Sequence, residues 1–168
     1  IYITAGDPDL VNSLAAAKAA IAGGADVLEV GVPFSDPVAD GPIIQQAMDR
    51  ALSAGGGLSL SLDLIRQVRE TSEIPIVLFG YLNPLLYNGF NITVEQVAEA
   101  GVDGLLVVDL PPEEAGPYRQ QASALGMDWI SLVAPTSGSE RIASIAENAT
   151  GFLYLISMTG VTGGDLQD

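Results

Sequence analysis

Apolar residues gather into short β-rich runs at 1–4, 26–32, 74–79, 104–109, 129–133 and 152–156. Each run is short and rich in Ile, Val, Leu or aromatic residues, the composition of strands. Between the runs the period changes. Residues 10–22 are alanine-rich with helical apolar spacing, and 61–70 sets Leu62, Ile65 and Val68 on one side. Segments 94–100, 113–125 and 140–148 complete the predicted helices. Strands alternating with helices every 25 to 30 residues or so predict βαβ units with right-handed crossovers, hence an α/β fold with a parallel sheet. The runs are apolar on both faces, as a sheet covered by helices requires.

One residue breaks that pattern. In an extended 27–32, the period of two puts Glu29 on one face with Val27 and Gly31, and Leu28, Val30 and Val32 on the other. An unpartnered buried charge costs at least about 2 kcal/mol. Glu29 therefore faces a polar cavity, pairs with another group, or is held partly protonated. A second carboxylate, Asp40, follows in the proline-rich loop Pro33-Phe34-Ser35-Asp36-Pro37-Val38-Ala39-Asp40-Gly41-Pro42.

Gly24-Ala25-Asp26-Val27-Leu28 is echoed by Gly101-Val102-Asp103-Gly104-Leu105, the same helix end, turn and strand start used twice. Repeated βα units favour a barrel over a nucleotide-binding doubly wound sheet. No Gly-x-Gly-x-x-Gly follows the first run and no Walker-type loop is present, which removes the main support for that alternative. Gly55-Gly56-Gly57 is expected to be a flexible connection. A complete (β/α)8 TIM barrel has eight strands and about 250 residues. Six predicted strands in 168 residues fit a single partial TIM-barrel domain, 1–168, truncated to about six βα units, a fragment of a larger barrel. Such an open arc is expected to expose its two edges and uncovered apolar surface.

Charge and composition narrow the chemistry. Six Lys and Arg against 21 Asp and Glu give a net charge of −15, which repels nucleic acid and anionic membrane surfaces. No apolar run is long enough to span a bilayer and no basic segment precedes a short apolar stretch, so a cytoplasmic location is expected. With no Cys and no His, disulfides, Cys/His zinc sites and imidazole bases are excluded, and acid–base work falls to carboxylates, tyrosine or lysine. The single lysine, Lys18, sits in the alanine-rich helical segment, where a solvated surface role is expected rather than a Schiff base.

In barrels the active site lies where strands end. Here those ends run into Thr4-Ala5-Gly6-Asp7-Pro8, the 33–42 loop, Tyr81-Leu82-Asn83-Pro84, Asp109-Leu110-Pro111-Pro112 and Gly160-Val161-Thr162-Gly163-Gly164. Together, in this order and over essentially the whole chain, they resemble the tryptophan synthase alpha subunit family. The most specific pieces are Leu28-Glu29-Val30-Gly31-Val32-Pro33-Phe34-Ser35-Asp36-Pro37, Ala39-Asp40-Gly41-Pro42 and Gly160-Val161-Thr162-Gly163.

The resemblance implies a lyase that cleaves indole-3-glycerol phosphate by a retro-aldol step to indole and glyceraldehyde 3-phosphate in tryptophan biosynthesis. It places the family's catalytic acids on Glu29 and Asp40 and sets Tyr154 near the substrate to assist proton transfer. A buried acid satisfied by backbone or water is the competing account of Glu29, and a loop-capping aspartate that of Asp40. Tyr2, Phe79, Tyr81 and Leu132 would line the indole pocket, although core packing alone also explains such residues. Thr162 and Gly163 resemble a loop that closes over the substrate, Thr162 meeting Asp40 and the Gly163 amide lying near the phosphate. No metal is implied. The phosphate cradle in such barrels belongs to later loops and a short helix, so this chain alone is expected to be impaired.

The resemblance also implies docking on a tryptophan synthase beta subunit in an alpha-beta-beta-alpha heterotetramer. Pyridoxal phosphate would belong to that partner, and the alpha subunit would need no cofactor of its own. The contacts fall on Pro33, Phe34, Asp36 and Pro37, with Asn83 and Pro111. Two other readings remain: a catalytically silent subunit that docks on and activates the beta subunit, and a stand-alone indole-releasing lyase or related phosphate-binding isomerase. The isomerase leaves the Pro-Phe-Ser-Asp-Pro loop unexplained.

Overall fold

The computed structural model describes residues 1–156. Its strands are β1 (Tyr2–Thr4), β2 (Leu28–Gly31), β3 (Ile76–Gly80), β4 (Gly104–Val107), β5 (Asp128–Trp129), β6 (Ser131–Val133) and β7 (Leu153–Leu155). The helices are α1 (Leu10–Ala22), α2 (Pro42–Ser53), α3 (Leu58–Arg69), α4 (Leu82–Leu86), α5 (Phe90–Glu99), α6 (Gly116–Ala124) and α7 (Ser139–Asn148). All described pairings are parallel, in the order β1-β2-β3-β4-β5 and then β6-β7. Only Ile130 separates β5 from β6, and its amide still donates to the Leu105 carbonyl at 2.8 Å. The predicted 129–133 strand is thus one run that pairs with β4 at its start and with β7 at its end. Among the described residues the strands form an open arc in chain order, as the sequence predicts.

The two-sided burial of the strands has a clear division of labour. Leu28, Val30, Ile76, Leu78, Leu105 and Val107 pack outward with Ala17 of α1 and Leu62, Leu64, Ile65 and Val68 of α3. On the opposite, inner face Val77, Leu106 and Ile130 form a second cluster with Val27, Phe79, Val108, Leu132 and Tyr154. The sequence echo also has a conformational cause. Gly24 and Gly101 follow α1 and α5 with φ of 93° and 95°, a left-handed turn that reverses the chain into β2 and β4.

The structure departs from the sequence-based expectation in three places. Helix α2 is absent from the predicted elements, because Pro42 reads as a loop residue. Yet proline at the first helical position is pre-set for a helix start, and Ala47, Met48 and Ala51 are buried at helical spacing. The three glycines after it form a tight link between α2 and α3, with the Gly56 amide bonded to the Ala51 carbonyl at 2.8 Å. Helix α5 begins at Phe90 rather than at residue 94, and the short α4 precedes it.

Candidate active site

Because all strands run the same way, their carboxyl ends and the following loops share one end of the arc. Glu29 stands in β2, in register with Tyr2 of β1 and Val77 of β3. Period-two alternation turns it to the inner face, where it is half-buried. Burial pushes its carboxyl above the usual glutamate range. No side-chain hydrogen bond or ion pair satisfies it among the described residues, so of the three alternatives for this acid, a readily protonated carboxyl fits best.

Asp40 ends the loop after β2 and is buried, 7 % exposed. Its Oδ2 accepts a hydrogen bond from the Tyr81 hydroxyl at 2.6 Å, and the same phenolic oxygen accepts from the Ala39 amide at 3.0 Å. Burial raises the Asp40 pKa and the Tyr81 bond opposes that rise. Tyr81 is itself pushed well above a normal phenol, first by burial and then by donating to Asp40. Its ring packs on Phe34 with centroids 5.1 Å apart. Asp40 is thereby fixed in place, with its backbone carbonyl bonded to Gln45 of α2 at 2.8 Å. A bidentate pair from Arg50 to Asp7, at 2.7 and 2.8 Å, ties the β1 loop to the same helix.

Aromatic rings fill the inner face between these acids. Tyr2 meets Phe79 edge-on at 5.5 Å, and Phe79 meets Tyr154 at 6.0 Å. The Tyr154 phenol is raised by burial and by the Glu29 charge. Leu132 joins this surface, and an open cavity of about 380 Å³ beside it is bounded by Val108, Asp109, Pro111, Leu132 and Ile156. No group of acidic residues that could hold a metal occurs among the described residues, and no helix there is long and apolar enough to cross a membrane.

A sequence profile described as "Tryptophan synthase alpha chain" matches residues 1–167. The chain belongs to the tryptophan synthase alpha chain family. Its relative from Desulfatibacillum aliphaticivorans is 51 % identical over 162 residues, and that from Geobacter sulfurreducens is likewise 51 % identical, with 96 % of this chain and 61 % of each relative covered. Tryptophan synthase subunit alpha from Legionella pneumophila superposes with a TM-score of 0.89 at 44 % identity, covering 93 % of this chain and 60 % of that one. A chain of the Pyrococcus furiosus tryptophan synthase complex gives 0.88 at 40 %, covering 92 % and 64 %. This chain thus spans about 61 % of the length of the curated relatives it matches.

Within this tryptophan synthase alpha frame, the structure brings Glu29, Asp40, Tyr154, Tyr2, Phe79, Tyr81 and Leu132 to the inner face and mouth of one arc. Thr162 and Gly163 lie outside the described residues. Of the six residues expected at a partner interface, Asp36, Asn83 and Pro111 are exposed and Phe34 and Pro37 are half-buried. Pro33 is buried, so its side chain offers no face to a partner. It follows β2 directly, where the chain is still packed against its neighbours. Lys18 is exposed, as expected. Sequence reasoning missed Leu106 and Val108, which line the inner face. Their alternation with Leu105 and Val107 along one strand was the available signal. It also missed the Asp7–Arg50 pair, whose members stand 43 residues apart and leave no local trace.

Proposed function

We propose that this chain carries the retro-aldol cleavage of indole-3-glycerol phosphate to indole and glyceraldehyde 3-phosphate, with Glu29 as general acid–base and Asp40 as the group that holds the indole N–H. The supporting observation is the contrast between the two carboxyls. Glu29 is unpaired and raised in pKa on a rigid strand, able to give and take a proton. Asp40 is clamped by Tyr81 on a buried loop, suited to fixed electrostatic support. The bond to break joins indole C3 to the carbinol carbon. A proton is delivered to C3, giving a ring cation whose charge is shared with N1 beside Asp40. The carbinol hydroxyl loses its proton, its oxygen becomes the aldehyde carbonyl, and the electrons of the breaking bond return to the indole ring. Tyr154 stands close enough to Glu29 to feel its charge and assists the proton transfer. Tyr2, Phe79, Tyr81 and Leu132 form the indole wall, and Thr162 and Gly163 the closing loop.

A partner completes this function. A solved relative from Pyrococcus furiosus is a tryptophan synthase a2b2 complex. The exposed Asp36, Asn83 and Pro111, with Phe34 and Pro37, form the docking face for a beta subunit in an alpha-beta-beta-alpha heterotetramer; Pro33 supports that loop from below. This subunit needs no cofactor for the step above, and pyridoxal phosphate belongs to the partner. Residues 1–168 act as one partial barrel domain, and the whole works in the cytoplasm.

The test is steady-state release of indole from indole-3-glycerol phosphate, with and without a beta subunit, by the wild-type protein and its Glu29→Gln variant. Loss of at least about 100-fold in kcat in the variant is expected, the usual share of a general acid–base group. Beta-subunit activation without any indole release by the wild-type protein would instead favour the silent subunit.

A further inference from the structure

The outward positions of β2, β3 and β4 carry Leu28, Val30, Ile76, Leu78, Leu105 and Val107, all packed under helices. Ser131 of β6 departs from that pattern. The alternation that turns Ile130 and Leu132 inward turns Trp129 and Ser131 outward. Ser131, half-buried, thus puts a hydroxyl where the other strands put hydrocarbon. Above it α6 and α7 leave a cavity of about 210 Å³, lined by Trp129, Ser131, Arg119 of α6 and Arg141 and Asn148 of α7.

Two of the six cations in a chain of net charge −15 therefore share one cavity. Their pairing differs. Arg50, Arg66, Arg69 and Arg141 each meet a carboxylate. Arg119 donates instead to the neutral Asn148 Oδ1 at 3.0 Å, a bond that holds the guanidinium across the gap between α6 and α7. Asn148 is itself fixed, its amide donating to the Ser144 carbonyl at 2.8 Å. Glu113 is the one acid lining the cavity, and it is bonded to Arg141 at 2.6 Å. That pair offsets itself and leaves the charge of Arg119 uncompensated. A guanidinium carries five donors in a rigid fork that matches oxyanions, and Asn148 occupies only part of it. The cavity is smaller than the roughly 300 Å³ at which sites for drug-sized ligands begin, so a small ion fits it. Glu29 and Asp40 line neither this cavity nor the one of about 380 Å³ that adjoins it, so the inference does not rest on the lyase reading.

We propose that the cavity between α6 and α7 binds a small phosphate dianion, as the free ion or as the head of a phosphomonoester, through Arg119, Arg141 and the Ser131 hydroxyl. Guanidiniums from two helices and a hydroxyl from the strand beneath them reach the ion from different sides. That arrangement suits a tetrahedral ion with acceptor oxygens all round better than a flat carboxylate. The bonds from the guanidiniums are charge-assisted, and Trp129 keeps water from one side of them.

Trp129 is the single tryptophan of the sequence and lines this cavity, so its fluorescence reports on the site. The protein is titrated separately with inorganic phosphate, glycerol 3-phosphate and acetate, with sodium chloride holding the ionic strength constant so that screening does not change. A saturable change in emission is expected with inorganic phosphate. Arg119→Gln should weaken it about tenfold and Ser131→Ala about threefold, the scale of a charge-assisted and an ordinary hydrogen bond. Arg66→Gln, away from the cavity, should leave it unchanged. Glycerol 3-phosphate binding as tightly as inorganic phosphate would assign the site to phosphomonoesters, and its failure to bind would assign it to the free ion. No saturable response in the wild-type protein would overturn the proposal. So would a response that Arg119→Gln and Ser131→Ala both leave intact, or acetate binding as tightly as phosphate.

Discussion

The acid–base role proposed for Glu29 comes at the expense of stability. Its carboxyl is raised by burial, as is that of Asp40, so the protonated forms are favoured in the folded protein. Folding therefore takes up protons between the unfolded and folded pKa values. The stabilising share of these groups is complete below their unfolded values, about pH 4. It is lost as pH rises through the raised folded values. Glu29→Gln replaces the ionisable group with a neutral one and removes its part of that loss. We expect the variant to melt at a higher temperature than wild type at pH 7, with the gap closing toward about pH 4. Thermal denaturation across that range checks it, and a gap independent of pH would show that titration of Glu29 is not the cause. The same variant is expected to lose turnover, so gain of stability and loss of function would appear in one substitution.

At the scale of elements, the amino ends of the strands are secured by a single cation. Arg69, at the end of α3, donates to the carbonyls of Gly101 at 2.8 Å, Ile74 at 2.5 Å and Ser72 at 3.3 Å, and to Asp103 Oδ2 at 2.5 Å. The same Asp103 oxygen accepts the Ile76 amide at 2.7 Å, which opens β3. One guanidinium thus joins α3, the turn after α5 and the start of the central strand. Its side chain is 18 % exposed, whereas Arg66 on the same helix is 47 % exposed and pairs with Asp63 alone. Arg69→Ala is expected to cost about 2 kcal/mol because it orphans half-buried carbonyls as well as losing a charge pair. Arg66→Ala should cost no more than about 0.5 kcal/mol. Denaturant midpoints at unchanged slope would measure both, and similar losses in the two would sink the distinction.

Across the whole molecule two features oppose each other. The net charge of −15 repels like chains. Among the described residues, however, β7 pairs on one side only, with β6, and its Leu153 and Leu155 are 39 % and 67 % exposed beside Tyr154. An edge with exposed apolar residues invites pairing with another chain. Salt weakens only the repulsion, because the screening length falls to about 8 Å at 0.15 M. The 168-residue chain by itself is therefore expected to associate with rising concentration, and more so with added salt. Light scattering with size-exclusion chromatography measures this, and a strictly monomeric chain at high salt would contradict it.

The sequence by itself determined what depends on local period and on short spacings. Alternation with period two required Glu29 to share a face with Val27 and Gly31, whatever the strand's neighbours. The alternation of strands and helices required parallel pairing, and the loop motifs carried the family. Only the tertiary structure decided what depends on residues distant along the chain. The Tyr81 clamp on Asp40 joins positions 41 apart, and the arginine bond from Arg69 to Asp103 spans 34. Neither spacing leaves a periodic trace. Pro33 reads as a loop proline until the packing around the end of β2 buries it. Gly31 reads as one more strand glycine until the Tyr2 phenol from the neighbouring strand is laid across it, a contact fixed by register and ring placement together. The physical reason is common to all of these. Backbone periodicity is a property of each segment alone, whereas burial, pKa and hydrogen-bond partners arise only when segments are brought side by side.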